Sequence, residues 1–309
     1  MLFNYMPKMK TKHLFIAGFA LCMAVLITAC RNNNPAVDKS LQPNMPKVDS
    51  NNPTLLKINN QIFSIPSPIQ TAMLIKKSGF PYNKEMLNSS DNYSKYDTKF
   101  KKALNLGIYG ADLGYISLYD QTQDALSYLA SIEKLATDVG VSDMFNATLV
   151  KRFQNNMGKQ DSLLAMVSEA FRRSDAYFKD NKQNDISSLV LVGGWIESLY
   201  FAVQANNSGK INAKEVVTRI AEQKISLQNL VKMLQPYSDR PEYAKLSKDL
   251  STLADTFENV EFVYNYVPPT VDAKNKVTSI NSTSTVQISP ELLKQITDKI
   301  AAIRNQIAG

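Results

Sequence analysis

The sequence has 309 residues, in which 35 Lys and Arg side chains outnumber 28 Asp and Glu, and it contains only two cysteines and one histidine. A pI of about 9.1 would suit a nucleic-acid-binding protein. The basic residues are dispersed along the chain and form no basic block. We therefore expect no nucleic-acid partner.

The first thirty residues have the features of an exported lipoprotein precursor. Three lysines precede an apolar run over residues 14–29, and Cys30 follows directly. A basic region, an apolar region and a small residue before a cleavage point describe a secretory signal. Ile27-Thr28-Ala29-Cys30 resembles the bacterial lipobox, which implies removal of residues 1–29 and acylation of Cys30. An uncleaved anchor helix, or a cut elsewhere, is the alternative.

Export would also remove most of the reactive side chains. His13 and Cys22 would leave with the signal, and acylation would consume Cys30. Without imidazole or thiol, the mature chain could not form disulfides, Cys/His zinc sites or Ser–His–Asp triads. It would keep 32 basic and 28 acidic side chains, a net charge of +4. We expect a non-enzymatic protein without a cofactor, attached to a membrane by its acyl groups.

Two regions follow the acylated cysteine. Residues 30–53 are rich in Asn and Pro and poor in large apolar side chains, so they are expected to be a disordered tether. Residues 54–309 are long enough for a single helical domain.

Apolar residues at helical spacing predict an all-α fold, a bundle of about 8–10 helices. The predicted helices, in chain order, cover residues 69–77, 96–119, 122–139, 142–153, 161–178, 186–203, 212–234, 239–260 and the segment from 290 onward. Between the last two, Val277–Ile280 and Thr285–Ile288 alternate around Asn281-Ser282 and predict a small β-hairpin near residues 277–288.

The central prediction concerns residues 186–203, which are apolar almost all round and contain the only tryptophan, Trp195. Such a helix is surrounded by lipid or by protein. Its length would just span a bilayer, but Glu197 and three serines favour burial among other helices.

The helix at 96–119 contains Gly107, Gly110 and Gly114 on one face, which would let a neighbouring helix approach closely. The sequence of this helix is also weakly similar to that of the central helix. Duplication of a helical hairpin, as in repeat proteins, would explain such a similarity.

Six residues on these two helices form the candidate binding site. The carboxylates would be the polar floor of a cleft with aromatic walls, and the alternative is a buried structural network. A pair of carboxylates could also support glycoside hydrolysis, depending on a separation that the sequence does not give. The six residues are Tyr109, Asp112, Tyr115, Trp195, Glu197 and Tyr200.

A segment between two predicted helices looks like a calcium-binding loop. Its candidate ligands are Asn206, Ser208, Asn212 and Glu215. Gln204 occupies the first loop position, where EF-hands have aspartate, and Glu215 would be the one anionic ligand. A capping box, with Asn212 as the cap and Glu215 three residues later, explains the pattern more simply. We therefore expect no metal site.

Lys102–Tyr115 and Gly193–Tyr200 resemble segments of an uncharacterised family of lipoproteins from Bacteroidota. The resemblance implies a predominantly helical exported domain and no particular activity. Surface-exposed lipoproteins of that phylum often carry acidic residues after the cysteine. Residues 31–34, Arg-Asn-Asn-Asn, instead favour an outer-membrane anchor that faces the periplasm.

These features together predict an envelope protein that binds or organises a protein partner. A small-molecule or glycan binder is the alternative, and a hydrolase that uses carboxylates alone is a third hypothesis.

Overall fold

A computed structural model describes residues 55–309 apart from 59–60, 142–146, 157–158 and 210–212. The described residues belong to one compact unit. Their helices are α1 Pro68–Lys77, α2 Lys99–Leu118, α3 Thr122–Val139, α4 Ala147–Asn155, α5 Gln160–Asp180, α6 Asn184–Asn207, α7 Ala213–Leu234, α8 Pro241–Phe257 and α9 Pro290–Ala308. Their strands are β1 Leu55–Ile58, β2 Gln61–Ser64, β3 Glu261–Asn265, β4 Thr270–Asp272, β5 Val277–Ser279 and β6 Thr283–Gln287.

The predicted all-α multi-helix bundle with a small β-hairpin is confirmed. Helix ends follow the local sequence. The Thr98 hydroxyl accepts a hydrogen bond from the Lys101 amide at the start of α2, and Ser289 accepts one from the Leu292 amide at the start of α9. Gly140 ends α3 in the left-handed region, at a φ of 94°.

Helices α2 and α6 cross at the centre, and their backbones touch. A Cβ atom added at Gly107 would lie 2.0 Å from the carbonyl oxygen of Val190, and one added at Gly193 would lie 2.0 Å from that of Leu104. Neither position therefore has room for a methyl group. The glycines of α2 predicted that a neighbouring helix would approach it closely. This contact is present, and the neighbouring helix is the apolar helix α6.

Helix α6 is buried by its neighbours. Almost every side chain from Ile186 to Val203 is buried, and α1, α2, α5, α7 and α9 all contact the helix. Among the described residues it is the one helix with the length and hydropathy of a membrane span, yet 89% of its most apolar window is covered by protein. It is a core helix of the bundle.

Residues 261–287 form a β-ribbon between α8 and α9. Its base pairs β3 with β6, so that Phe262 faces Val286, and its tip pairs β4 with β5, so that Val271 faces Thr278. Ser282 joins the two parts, since its hydroxyl accepts from the Val267 amide.

The pairing within the predicted hairpin was wrong. Val277–Ser279 pairs with Thr270–Asp272, and Thr283–Gln287 pairs with Glu261–Asn265. The tip turns at Asp272, whose carboxylate accepts from the Lys274 and Asn275 amides. Pro268-Pro269 lies between β3 and β4. The two prolines interrupt a strand, where they cannot donate ladder hydrogen bonds.

The hairpin of β1 and β2, with Leu56 opposite Phe63, was not predicted. The predicted helix at 142–153 is α4, which begins at Ala147 among the described residues.

Candidate functional site

The six candidate residues lie on α2 and α6, the two helices that cross at the centre. Tyr109, Asp112, Tyr115, Trp195 and Glu197 are completely buried, whereas Tyr200 is half-buried. Asp112 interacts with Glu197, whereas the indole of Trp195 is hydrogen-bonded to Gln223 on α7. The surroundings are the interior of the bundle rather than a solvent-exposed cleft.

Glu197 forms a two-pronged ion pair with Arg304 on α9. The Arg304 Nε atom donates to Oε2 at 3.0 Å, and Nη2 donates to Oε1 at 2.9 Å. Nη2 also donates to the carbonyl oxygen of Met86 at 3.3 Å, and the guanidinium carbon lies 4.8 Å from the centre of the Tyr200 ring. Burial disfavours the guanidinium charge, but the nearby Glu197 carboxylate outweighs it and raises the pKa of Arg304. The ion pair ties α9 to α6.

Asp112 is the unusual group of the cluster. Burial, and then the negative charge of Glu197, raise the pKa of Asp112 well above its ordinary value. Among the described residues, no donor forms a hydrogen bond of good geometry with either carboxylate oxygen. An ionised carboxylate in that position would be very costly. Burial, the nearby Glu197 carboxylate and the lack of a hydrogen-bond donor among the described residues all favour the neutral form of Asp112.

The polar ends of the aromatic residues are also satisfied inside the protein. Tyr109 donates to the Ser89 carbonyl oxygen at 2.7 Å, and the Tyr115 hydroxyl accepts from the Asn83 amide at 3.0 Å. The indole nitrogen of Trp195 donates to the Gln223 side chain at 2.9 Å. Because these partners are protein groups, the aromatic residues act as core side chains with internal hydrogen bonds.

An asparagine network that the sequence did not reveal holds the end of α9 in the same region. Asn88 donates to the Tyr96 hydroxyl at 2.8 Å and to Asn105 at 3.1 Å. Asn105 in turn donates to the carbonyl oxygen of Ile307 at 2.9 Å, and Tyr96 donates to that of Ala308 at 3.3 Å. These bonds satisfy the last carbonyl groups of the helix, which would otherwise lack partners.

This geometry suits a structural role better than catalysis. Asp112 and Glu197 face each other, but both are completely buried and share the charge of one guanidinium. A glycosidase needs a substrate bond and a water molecule between its carboxyl groups. Neither would reach this pair without opening the core.

The calcium-loop pattern is only partly covered by the described residues. Asn206 lies in the last turn of α6, and the Ser208 hydroxyl donates to the Ala205 carbonyl oxygen. Glu215 is exposed in the first turn of α7, while Asn212 lies outside the described residues. Within the described part of the chain, no three His, Cys, Asp or Glu residues are grouped to hold a metal ion.

A small apolar cavity lies elsewhere in the bundle, among α2, α3, α4 and α5. Its volume is about 30 Å³, which is room for roughly two water molecules. Ser174 contributes a buried hydroxyl that lacks a hydrogen-bond partner among the described residues. The other walls are apolar, and they include Leu106, Leu129, Phe153, Met166 and Val167. A space of this size is a packing defect rather than a pocket for an organic ligand.

The surface feature that stands out is the β-ribbon. Large apolar side chains point outward along its whole length, and Ile280, Val271 and Tyr266 are 82%, 70% and 68% exposed. The others with substantial exposure are Phe262, Val263, Tyr264, Val267 and Val277. Only Val286, near the base, is packed against the core. Apolar residues that are exposed together make the ribbon a candidate interaction surface.

The predicted hairpin covered residues 277–288 only, so β3 and β4 were not predicted, although the sequence of β3 contained a signal. Residues 262–267 read Phe-Val-Tyr-Asn-Tyr-Val, a β-branched and aromatic run that is typical of a strand. Arg304, in contrast, looks like any surface basic residue of an amphipathic helix, and only the fold shows its partner.

Comparison of the chain with protein-family models, curated proteins and solved structures finds no match. The likeness to Bacteroidota lipoproteins therefore stays a prediction.

Proposed function

We propose that this chain is a lipid-anchored protein of the cell envelope whose helical domain is a non-enzymatic binding module. In this proposal, Cys30 carries the acyl groups and the anchor lies in the outer membrane, facing the periplasm. The domain binds a protein partner through the β-ribbon, residues 261–287. The anchor part rests on the lipoprotein-like first thirty residues, and the binding part rests on the structure.

The observation that carries the proposal is the contrast between the interior and the ribbon. The aromatic and acidic groups that could line a pocket lie in or beside the core, and Trp195 and Glu197 have polar partners within the protein. The ribbon instead presents valine, isoleucine and tyrosine side chains to solvent. Contact between these apolar side chains and water is unfavourable, and binding to a partner surface would remove it.

The shape of the ribbon also suits binding to another chain. The ribbon leaves the helical body as two strands, and its described side chains are exposed except for those of Ser282 and Val286. A strand whose edge lacks a neighbour can bind an extended segment of another chain through backbone hydrogen bonds. Such binding needs no catalytic group and no cofactor.

Site-specific photocrosslinking in intact envelopes tests this function. A photoreactive amino acid is placed at Tyr266 on the ribbon or, as the control, at Ile225 on α7. The two positions are matched, since Tyr266 is 68% exposed and Ile225 is 66% exposed. We expect protein adducts to form mainly from position 266 and to disappear when unlabelled protein competes. Equal adduct yields from both positions would contradict a binding role for the ribbon.

A further inference from the structure

The base of the ribbon has an unused strand edge. Among the described residues, β3 pairs with one strand only, β6, and α7 contacts β6 as well as β2. Phe262, Val263 and Tyr264 on β3 are all exposed, with Tyr264 at 64%. A two-stranded sheet in water is marginally stable, and three or more strands are the usual minimum. The edge of β3 is therefore the position where an added strand would stabilise the ribbon most.

The sequence of β3 is complementary to itself when it is paired with a second copy in the antiparallel direction. If a two-fold axis passes at Val263, the two Val263 side chains lie opposite each other. Phe262 of one copy then faces Tyr264 of the other, and Glu261 faces Asn265. Cross-strand aromatic pairs are favourable, and like charges directly opposite would be unfavourable. This register contains two aromatic pairs and no pair of like charges.

The charges around the strand favour a second copy as well. The base strands β3 and β6 contain one side chain that is charged at neutral pH, Glu261, at the end of the paired segment nearest the helices. Edge strands usually avoid self-association by carrying charged residues, prolines or bulges. The centre of β3 has none of these protections, since Phe262, Val263 and Tyr264 follow one another in regular pairing with β6.

We propose that the ribbon binds a second copy of this chain. The β3 strands of two molecules pair antiparallel about Val263, and the two ribbons join into a four-stranded sheet in the order β6, β3, β3, β6. A closed two-fold arrangement is the commonest form of protein self-association. The inference rests on the proposed function, because it names the partner that the ribbon surface contacts.

Disulfide trapping tests the pairing in the full chain, in its own membranes. Residues directly opposite each other on antiparallel strands have Cβ atoms about 4.5–5.5 Å apart, close enough for a disulfide after small adjustments. Under mild oxidation, the Val263→Cys variant should therefore form a disulfide-linked dimer. The unmodified chain is the background control, since its mature form is expected to have no free thiol.

Thr285→Cys is the matched control. Thr285 is exposed and lies opposite Val263 on the ribbon. In the four-stranded sheet, however, the two Thr285 residues would be three strand spacings apart, about 14 Å. We expect at least a tenfold lower dimer yield from this variant than from Val263→Cys. Similar yields from both variants would show random collision and would overturn the proposed pairing.

A mixed pair of variants tests the register. Copies with Phe262→Cys and copies with Tyr264→Cys, carrying different tags, should form a mixed disulfide more readily than either forms with itself. Preferential linkage within one variant would overturn the register centred on Val263.

Two further outcomes separate this inference from the proposed function. If Val263→Cys stays monomeric while position 266 still yields adducts with other proteins, self-pairing is wrong and the ribbon remains a binding surface. If neither disulfide trapping at position 263 nor photocrosslinking at position 266 yields a product above its control, both proposals fail. The size of the unmodified protein in mild detergent checks the result without mutation, since a monomer at all concentrations would also overturn self-pairing.

Discussion

The contact between α2 and α6 allows a quantitative prediction from two glycines. In Gly193→Ala, the new methyl carbon would lie 2.0 Å from the carbonyl oxygen of Leu104, and real Cβ contacts are at least 3.0 Å. The obstructing atom belongs to the backbone and cannot rotate away. The two helices must therefore separate by about 1 Å, which loosens the packing of the side chains around the crossing.

The expected loss of stability follows from two opposing effects. Overpacking a dense core costs about 1–3 kcal/mol and sometimes more. The higher helix propensity of alanine offsets about 1 kcal/mol of this loss. Because α6 is covered by helices on several sides and both backbones are rigid, we expect a net loss of about 3 kcal/mol. For a domain of this size, that corresponds to a melting temperature lower by about 6–12 °C. Gly107→Ala should behave in the same way, since its methyl group would meet Val190.

Gly114→Ala, on the same helix as Gly107, is the control. Its methyl group would lie 3.1 Å from Cγ1 of Ile69, a side-chain atom that can shift by a few tenths of an ångström. We expect the free energy of unfolding to change by less than about 1 kcal/mol. Urea unfolding followed by far-ultraviolet circular dichroism measures all three variants. If Gly193→Ala and Gly107→Ala were as stable as Gly114→Ala, the reasoning from backbone contact would be refuted.

Three further predictions concern the buried charges and the anchor. Arg304→Ala should lower the free energy of unfolding by about 3–5 kcal/mol, because it leaves Glu197 buried without its partner. Lys294→Ala on the same helix removes an exposed ion pair and should cost less than about 1 kcal/mol; similar losses from both would contradict the structural role of Arg304. Asp112→Asn should be more stable than the unmodified protein by an amount that grows with pH. The pKa of Asp112 is raised by folding, so its stabilising effect is complete below an unfolded pKa of about 3.9 and is lost as pH rises toward the folded pKa. Urea titrations at several pH values measure the difference, and a difference independent of pH would show that Asp112 is not protonated in the fold. Mass spectrometry of the mature protein should find Cys30 as an acylated first residue, whereas a mature form that keeps residues 1–29 would refute the anchor.

Much of the helical framework could be predicted because it depends on local patterns. The predicted end of α3 was found at Gly140, since left-handed backbone and apolar periodicity are both visible in the sequence. The burial of α6 was likewise predictable, because a helix that is apolar on all sides needs surroundings that exclude water.

The remaining features depend on contacts between distant residues. The partner of Glu197 is Arg304, which lies 107 residues further along the chain on a helix with several basic residues. Periodicity placed α9 but could not select which of its basic side chains points inward. Asp112 and Glu197 were grouped correctly, although the sequence could not show whether they face solvent or the core.

The first strands of the ribbon and the pairing of its strands were not predicted, for a different reason. Its strands are short and almost wholly exposed, so they lack the alternation of buried and exposed residues that identifies a half-buried strand. The nested pairing, with one hairpin inside another, is a long-range property that turn residues alone do not determine.

The central claim is that α6 lies in a closed core formed by the surrounding helices. Trp195 on α6 is the only tryptophan, so its fluorescence reports directly on the burial of this helix. We expect a blue-shifted emission in the folded protein, with little quenching by acrylamide until urea unfolds the chain. A folded protein whose Trp195 emits and is quenched as it is in urea would contradict the closed core.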